Sequence, residues 1–192
     1  MNEKTQRRLG FTLLEVMIVV AIIGILSSTA IAMFRLQQQR AKRSEAMTNL
    51  EAIAKMERAY FGENGSYPSA IPVPPAMIPG VKTNWDAAAS AAFGTLGFKA
   101  EGSVWYVYDV NSSAGLCACP SNACFTAAAY GDSDRDGAIA VVGFFHPDGG
   151  GAVCPVQVFP AIGPPIDPFD GLPILEVPVD IFQYSGPVAD DY

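Results

Sequence analysis

The chain has 192 residues, of which 50% are hydrophobic and 16% are charged. This length and apolar content predict one folded domain of ordinary size and exclude disorder throughout. The net charge is −7, and from Phe61 onward three basic residues stand against fourteen acidic ones. Because phosphate contacts require a basic face, this acidic part is not expected to bind nucleic acid.

The N-terminal stretch Phe11–Phe34 is apolar except for Glu15 and a few small hydroxyl residues, and as a helix it is long enough to cross a bilayer. From Arg35, strong helix formers continue without glycine or proline until Gly62, with apolar positions recurring near one face. We therefore expect one helix over about residues 11–61. Residues 11–34 of it are apolar all round, and residues 35–62 form an amphipathic half.

The same stretch supports a second interpretation. A charged leader, an apolar core and the small residues Ala30–Ala32 are also typical of a conventional signal peptide cut after Ala32. That interpretation has no role for Glu15, because an ionisable group inside an apolar span is costly and usually has a partner. If the segment is removed, the mature protein is a released domain. If it is retained, the mature protein is anchored.

Gly10 followed by "FTLLEVMIVVAIIGIL" resembles the type III signal of type IV pilins and related pseudopilins. The resemblance continues through "RSEAMTNLEAI" and "YFGENGSYP", which are similar to the remainder of a type IVa pilin helix and the start of its loop. It covers about the first seventy residues strongly and the rest of the chain more weakly.

The resemblance implies that residues 1–10 are a leader, removed by a dedicated prepilin peptidase that cuts after Gly10 and methylates Phe11. It further implies that Glu15 pairs with the N-terminal amine of a neighbouring subunit during assembly. This role agrees with physics, since a carboxylate buried among apolar helices needs a cation. Pilin helices commonly carry proline where this chain has Ala32, so a straighter helix is expected here.

Residues 63–192 are expected to form an α+β head, in which a small antiparallel sheet packs on the amphipathic half of the helix. A proline-rich loop comes first. Short runs rich in β-branched or aromatic residues then predict strands at Ser103–Val110, Phe125–Tyr130, Ala138–Phe145 and Ala152–Phe159. The acidic tail from Pro155 has many prolines and is interpreted as an extended surface segment.

All four cysteines, Cys117, Cys119, Cys124 and Cys154, lie in the C-terminal half. In an exported protein an even number of cysteines predicts two disulfides, for which three pairings remain open. The C-x-C and C-x4-C spacings differ from the paired C-x2-C arrangement of a structural zinc site, so a metal is not favoured.

The segment "GDSDRDG" leaves two interpretations open. Asp132, Asp134 and Asp136 stand at positions one, three and five of an EF-hand-like calcium loop, but Gly143 occupies the position of the bidentate glutamate. The alternative is a polar hairpin turn without an ion. Apart from calcium, no cofactor is expected.

No enzymatic activity is predicted. The single histidine, His146, is interpreted as a loop residue because no nucleophile motif accompanies it.

The resemblance implies a major or minor pilin that assembles with like or related subunits into a type IV pilus, for adhesion, motility or DNA uptake. The subunit is expected in the inner membrane, in contact with an assembly platform, and then in an extracellular pilus. One alternative is a pseudopilin of a type II secretion system, in a periplasmic pseudopilus. A second alternative is a secreted monomeric binding domain cut after Ala32.

Overall fold

The computed structural model describes residues 10–74, 81–112, 117, 119, 122–132, 135, 139–158, 163–167, 169 and 171–181. The chain divides into two compact units, Met1–Gln38 and Gln39–Tyr192. Among the described residues a long N-terminal helix is followed by antiparallel sheets, which confirms the predicted α+β pilin-like fold.

Helix α1 extends over Leu13–Asn64, close to the predicted bounds. It continues through Gly24 and Ala32. Glycine lowers helix propensity and proline would remove a backbone donor. With alanine at position 32 every N–H in this turn is available to the helix, which is the simplest reason for its continuity.

In the second unit, α1 buries one face, on which Ala46, Leu50, Ile53 and Glu57 recur every three or four residues, with Ala54 next to Ile53. Two side-chain hydrogen bonds connect this face to the sheet region. The Asn49 amide donates to the Tyr108 hydroxyl at 2.9 Å, and Glu45 Oε1 accepts the Trp105 backbone N–H at 2.8 Å. The amphipathic half predicted from the sequence is therefore the half that packs in the head.

The main sheet has five antiparallel strands in the order β1-β4-β5-β6-β7. The strands are β1 (Ala70–Val73), β4 (Val107–Asn111), β5 (Phe125–Gly131), β6 (Ala140–His146) and β7 (Pro178–Asp180). Side chains alternate between two faces. On what we call the helix face, Tyr108, Ala127 and Phe144 join the core that contains α1. On the far face, Tyr130, Val141 and Phe145 form a second core.

A small two-stranded sheet and a short helix precede β4. Strands β2 (Thr83–Asn84) and β3 (Ser103–Val104) pair antiparallel, and helix α2 (Ala87–Ala92) lies between them in the chain. The Asp86 side chain caps α2 by accepting the Ala89 N–H at 2.8 Å. The run Ser103–Val110, predicted as one strand, is thus divided between two sheets.

Proline explains two further differences from the sequence prediction. Ala152–Phe159 was predicted as a strand, but residues 152–158 form no strand. Pro155 lacks the N–H that a ladder requires. Conversely, β1 lies inside the proline-rich stretch that was predicted as a loop, and it tolerates Pro72 because it is an edge strand with an irregular register.

The C-terminal segment also differs from the expected surface tail. Pro178–Asp180 form the edge strand β7, which pairs with β6. Val156 and Ile181 are buried in the far-face core. Ile181 lies over Gly143, where an added Cβ would stand 2.5 Å from the Ile181 Cδ1. Because Gly143 has no side chain, Ile181 can pack at this position.

Candidate assembly and processing site

The first turn of α1 is closed by a reciprocal pair of hydrogen bonds. The Glu15 backbone N–H donates to Thr12 Oγ1 at 3.2 Å, while the Thr12 N–H donates to Glu15 Oε2 at 3.4 Å. This is the capping box expected for Thr-x-x-Glu, and it satisfies two of the N–H groups that a helix start leaves unpaired. Glu15 is therefore held at the helix start, where the helix dipole favours a negative charge.

Gly10 and Phe11 immediately precede this turn. Both are exposed, and the Phe11 side chain is 83% accessible. The carboxylate predicted for assembly and the residues predicted for processing therefore lie within six positions of one another, in the first unit. The roles of Gly10, Phe11 and Glu15 stay predictions.

Beyond this turn, the first half of α1 exposes large apolar side chains on all sides. Residues distributed around the helix are each more than half exposed: Met17, Ile18, Val20, Ile23 and Leu26. The helix contains an 18-residue window with a mean hydropathy of 2.5, which is long and apolar enough to cross a membrane.

The four cysteines converge in the second unit. The structure pairs Cys117 with Cys154 and Cys119 with Cys124, one of the three pairings left open by the sequence. The first bond joins residues 37 positions apart. Because Cys154 begins the segment that covers the far face of the sheet, this bond ties that segment to Cys117.

Of the three aspartates in the calcium interpretation, Asp134 and Asp136 lie outside the described residues. Asp132 follows β5, and its Oδ1 accepts the Arg135 N–H at 2.6 Å. Arg135 adopts a φ of 67°. The antiparallel pairing of Gly131 with Ala140 shows that the segment connects a hairpin. Calcium binding stays a prediction.

His146 is the last residue of β6 and not a loop residue. Its Nδ1 lies 3.0 Å from Glu176 Oε1, and Arg58 lies 3.6 Å from the same oxygen. Burial is the main reason that the His146 pKa is lowered, which favours the neutral ring at physiological pH. The contact connects α1, β6 and the segment before β7, which is a structural role.

Two buried carboxyl groups were missed by the sequence analysis. Glu57 lies on the buried face of α1 with both oxygens unpartnered, and burial raises its pKa to about 9. On the far face, Asp109 Oδ2 accepts the Tyr130 hydroxyl at 2.7 Å, and burial raises the Asp109 pKa to about 8. Burial thus favours the protonated form of both groups at neutral pH. One sequence signal could have indicated the burial of Glu57: the apolar residues Ile53, Ala54 and Phe61 lie three or four positions away from it on the same face of the helix.

Comparison with known proteins gives consistent matches. The family model for the prokaryotic N-terminal methylation motif matches residues 5–31. The chain is 52% identical over 61 residues to the type IV major pilin protein PilA of Myxococcus xanthus, covering 32% of this chain and 28% of that protein. It is 36% identical over 67 residues to the type II secretion system core protein G of Vibrio cholerae, covering 35% and 46%. It is 40% identical over 60 residues to the fimbrial protein of Neisseria meningitidis, covering 31% and 35%.

The chain thus spans between about a quarter and a half of the length of these relatives. The methylation motif includes Gly10, Phe11 and the capped Glu15. By this motif, by these relatives and by its α+β fold with a long N-terminal helix, the chain resembles type IV pilins and pseudopilins.

Proposed function

We propose that the chain is a structural subunit of a type IV pilus-like filament and assembles through the first half of α1. The observation that carries this proposal is a capped, apolar helix start whose large side chains are exposed all round. Such a surface is stable in lipid, or packed against similar helices. The same segment therefore serves first as an inner-membrane anchor and then as filament core.

Glu15 gives the assembly its specificity in this proposal. In the described structure its carboxylate reaches only Thr12, at the long limit of a hydrogen bond. In a filament core the exposed carboxylate requires a cation, and the Phe11 amine of a neighbouring subunit supplies one after cleavage behind Gly10. A prepilin peptidase and an inner-membrane assembly platform are the partners that this sequence of events requires.

The acidic head is proposed to face outward in an extracellular pilus that supports adhesion, motility or DNA uptake. The role is structural and not enzymatic. A periplasmic pseudopilus of a type II secretion system is the second candidate, favoured by the similarity to the secretion core protein G. Shearing cells of the native host distinguishes the two, because a pilus subunit is released in surface filaments and a pseudopilin stays in the envelope.

A Glu15→Gln variant tests the assembly mechanism. The amide keeps the shape of the side chain but leaves the neighbouring amine unpaired, and breaking a buried charge pair costs about 3–5 kcal/mol. We expect filament yield to fall at least tenfold, a conservative translation of that cost, while the membrane-bound subunit is still present. Glu51→Gln is the matched control, because Glu51 is an exposed carboxylate on the same helix. Equal filament yields from the two variants would contradict the role of Glu15.

A further inference from the structure

The two disulfides form one sulfur cluster. All four Sγ atoms lie within 4.8 Å of one another. Between the two bonds, Cys154 Sγ lies 3.2 Å from Cys124 Sγ and 3.9 Å from Cys119 Sγ. A sulfur released from one bond is therefore already next to both sulfurs of the other bond.

The cluster has one accessible member. Cys119, Cys124 and Cys154 are at most 4% exposed, whereas Cys117 is half-buried. Disulfide exchange requires a thiolate to reach a sulfur, so an external thiol is directed to Cys117. Attack on Cys117 Sγ breaks its bond to Cys154 and leaves the Cys154 thiolate inside the cluster.

Cys154 remains in place after its bond is broken. Its carbonyl oxygen accepts the Thr126 hydroxyl at 2.6 Å, and the next carbonyl, of Pro155, accepts the Asn111 amide at 2.8 Å. Val156 is fully buried in the far-face core. These contacts hold the released thiolate against the second disulfide.

We propose that the cluster is a thiol–disulfide exchange site for small monothiols, in which the second disulfide recaptures Cys154. The Cys154 thiolate attacks Cys124 Sγ, forms a Cys124–Cys154 bond and displaces the Cys119 thiolate. Cys119 then attacks Cys117 Sγ of the mixed disulfide, forms a Cys117–Cys119 bond and expels the monothiol. Two bonds break and two form within the protein, and no electrons are gained or lost overall.

Recapture is favoured by geometry and by solvation. Separations of about 3–3.5 Å between reacting atoms correspond to effective concentrations far above those of an external thiol. The Cys119 thiolate displaced by recapture is buried as well, so the cost of its poor solvation is relieved only when it closes the Cys117–Cys119 bond and the monothiol leaves. The covalent tether at Cys154 thereby survives thiol attack, and the segment over the far face stays attached.

The full chain, with its native disulfides, is incubated with a catalytic amount of glutathione and then acid-quenched, alkylated and mapped by mass spectrometry. We expect Cys124–Cys154 and Cys117–Cys119 linkages to appear without net loss of disulfide. If only the native linkages are found, with or without glutathione on Cys117, the exchange is overturned.

Two variants test recapture independently. In Cys117→Ser, we expect Cys154 to be found in a disulfide with Cys124 or Cys119, leaving one of these two alkylated. Alkylation of Cys154, with Cys119–Cys124 intact, would refute recapture. In the double variant Cys119→Ser/Cys124→Ser the acceptor is absent, so glutathione should open the Cys154 bond at least about tenfold faster than in the wild type. Equal rates would also refute it. Near-UV circular dichroism verifies that each variant folds, and the wild-type mapping needs no variant.

Discussion

Ile22 and Ile23 in the first unit are more than half exposed, whereas Leu50 and Ile53 in the second unit are completely buried, although all four lie on one continuous helix. The head buries its apolar side chains in two cores, one on each face of the sheet. The apolar side chains in the first half of α1 are not buried by the described residues of their own unit. In the proposed function these side chains are covered by a bilayer or by other helices, whereas the apolar residues of the head are covered by its own fold.

Substitutions in the two halves of α1 should differ strongly in their effect on the stability of the head. Leu50→Ala should lower the free energy of unfolding of the head by about 2–5 kcal/mol, because it leaves a cavity in the helix-face core. Ile22→Ala should change that value by less than about 0.5 kcal/mol, because Ile22 belongs to the first unit and is not among the described residues of either core of the head. Thermal or denaturant unfolding in detergent, followed by tryptophan fluorescence, measures both. If both variants lowered the free energy of unfolding by similar amounts, the two halves of α1 would not differ in their contribution to the stability of the head.

The next effect concerns the buried carboxyl groups of the head. The Glu57 pKa is raised from its ordinary 4.5 to about 9, so between these values the folded protein binds more protons than the unfolded chain. The free energy of unfolding should therefore fall as pH rises through that window, by up to about 1.4 kcal/mol per pH unit. Asp109, raised from 3.8 to about 8, acts in the same direction.

Glu57→Gln should reduce this slope, because the amide does not titrate. The measurement is a series of denaturant unfolding curves between the two pKa values, with Glu51→Gln as an exposed control on the same helix. A slope that Glu57→Gln leaves unchanged would mean that Glu57 is ionised in the folded head.

A smaller effect is expected for the cap at the start of α1. Thr12→Ala removes the hydroxyl that accepts the Glu15 N–H and should destabilise the first turn by about 1 kcal/mol. Amide hydrogen exchange at residues 13–16 of the detergent-bound subunit should accelerate severalfold, while exchange in the head stays unchanged. Thr12→Ser keeps the acceptor and serves as the control; accelerated exchange in both variants would indicate that capping is not the cause.

The long helix and the strands β5 and β6 could be predicted because their signals are local. Apolar content and helix formers set the extent of α1, and the β-branched or aromatic runs mark β5 and β6. Gly10, Phe11 and Glu15 also lie in one short stretch, so a resemblance confined to that stretch was enough to propose them, and their roles stay predictions.

What sequence reasoning missed depends on tertiary context. The disulfide pairing needs the position of Cys154 over the far face, which is set by hydrogen bonds from Asn111 and Thr126. Strand β7 forms only because β6 offers it an edge, and its proline content argued against a strand. Burial disfavours the charged form of Glu57. Its pKa is therefore raised, and the neutral carboxyl group can be buried at a lower cost.

The proposed function requires that the apolar first half of α1 is kept in the mature protein and forms the anchor and the filament core. We would test this requirement first by mass spectrometry of the mature N-terminus, after purification from the native host. A chain that begins with N-methylated Phe11 is the predicted result, since it places a free secondary amine and Glu15 at the start of a retained anchor. A chain that begins at Met33 would mean that the segment is discarded, and it would contradict the filament function.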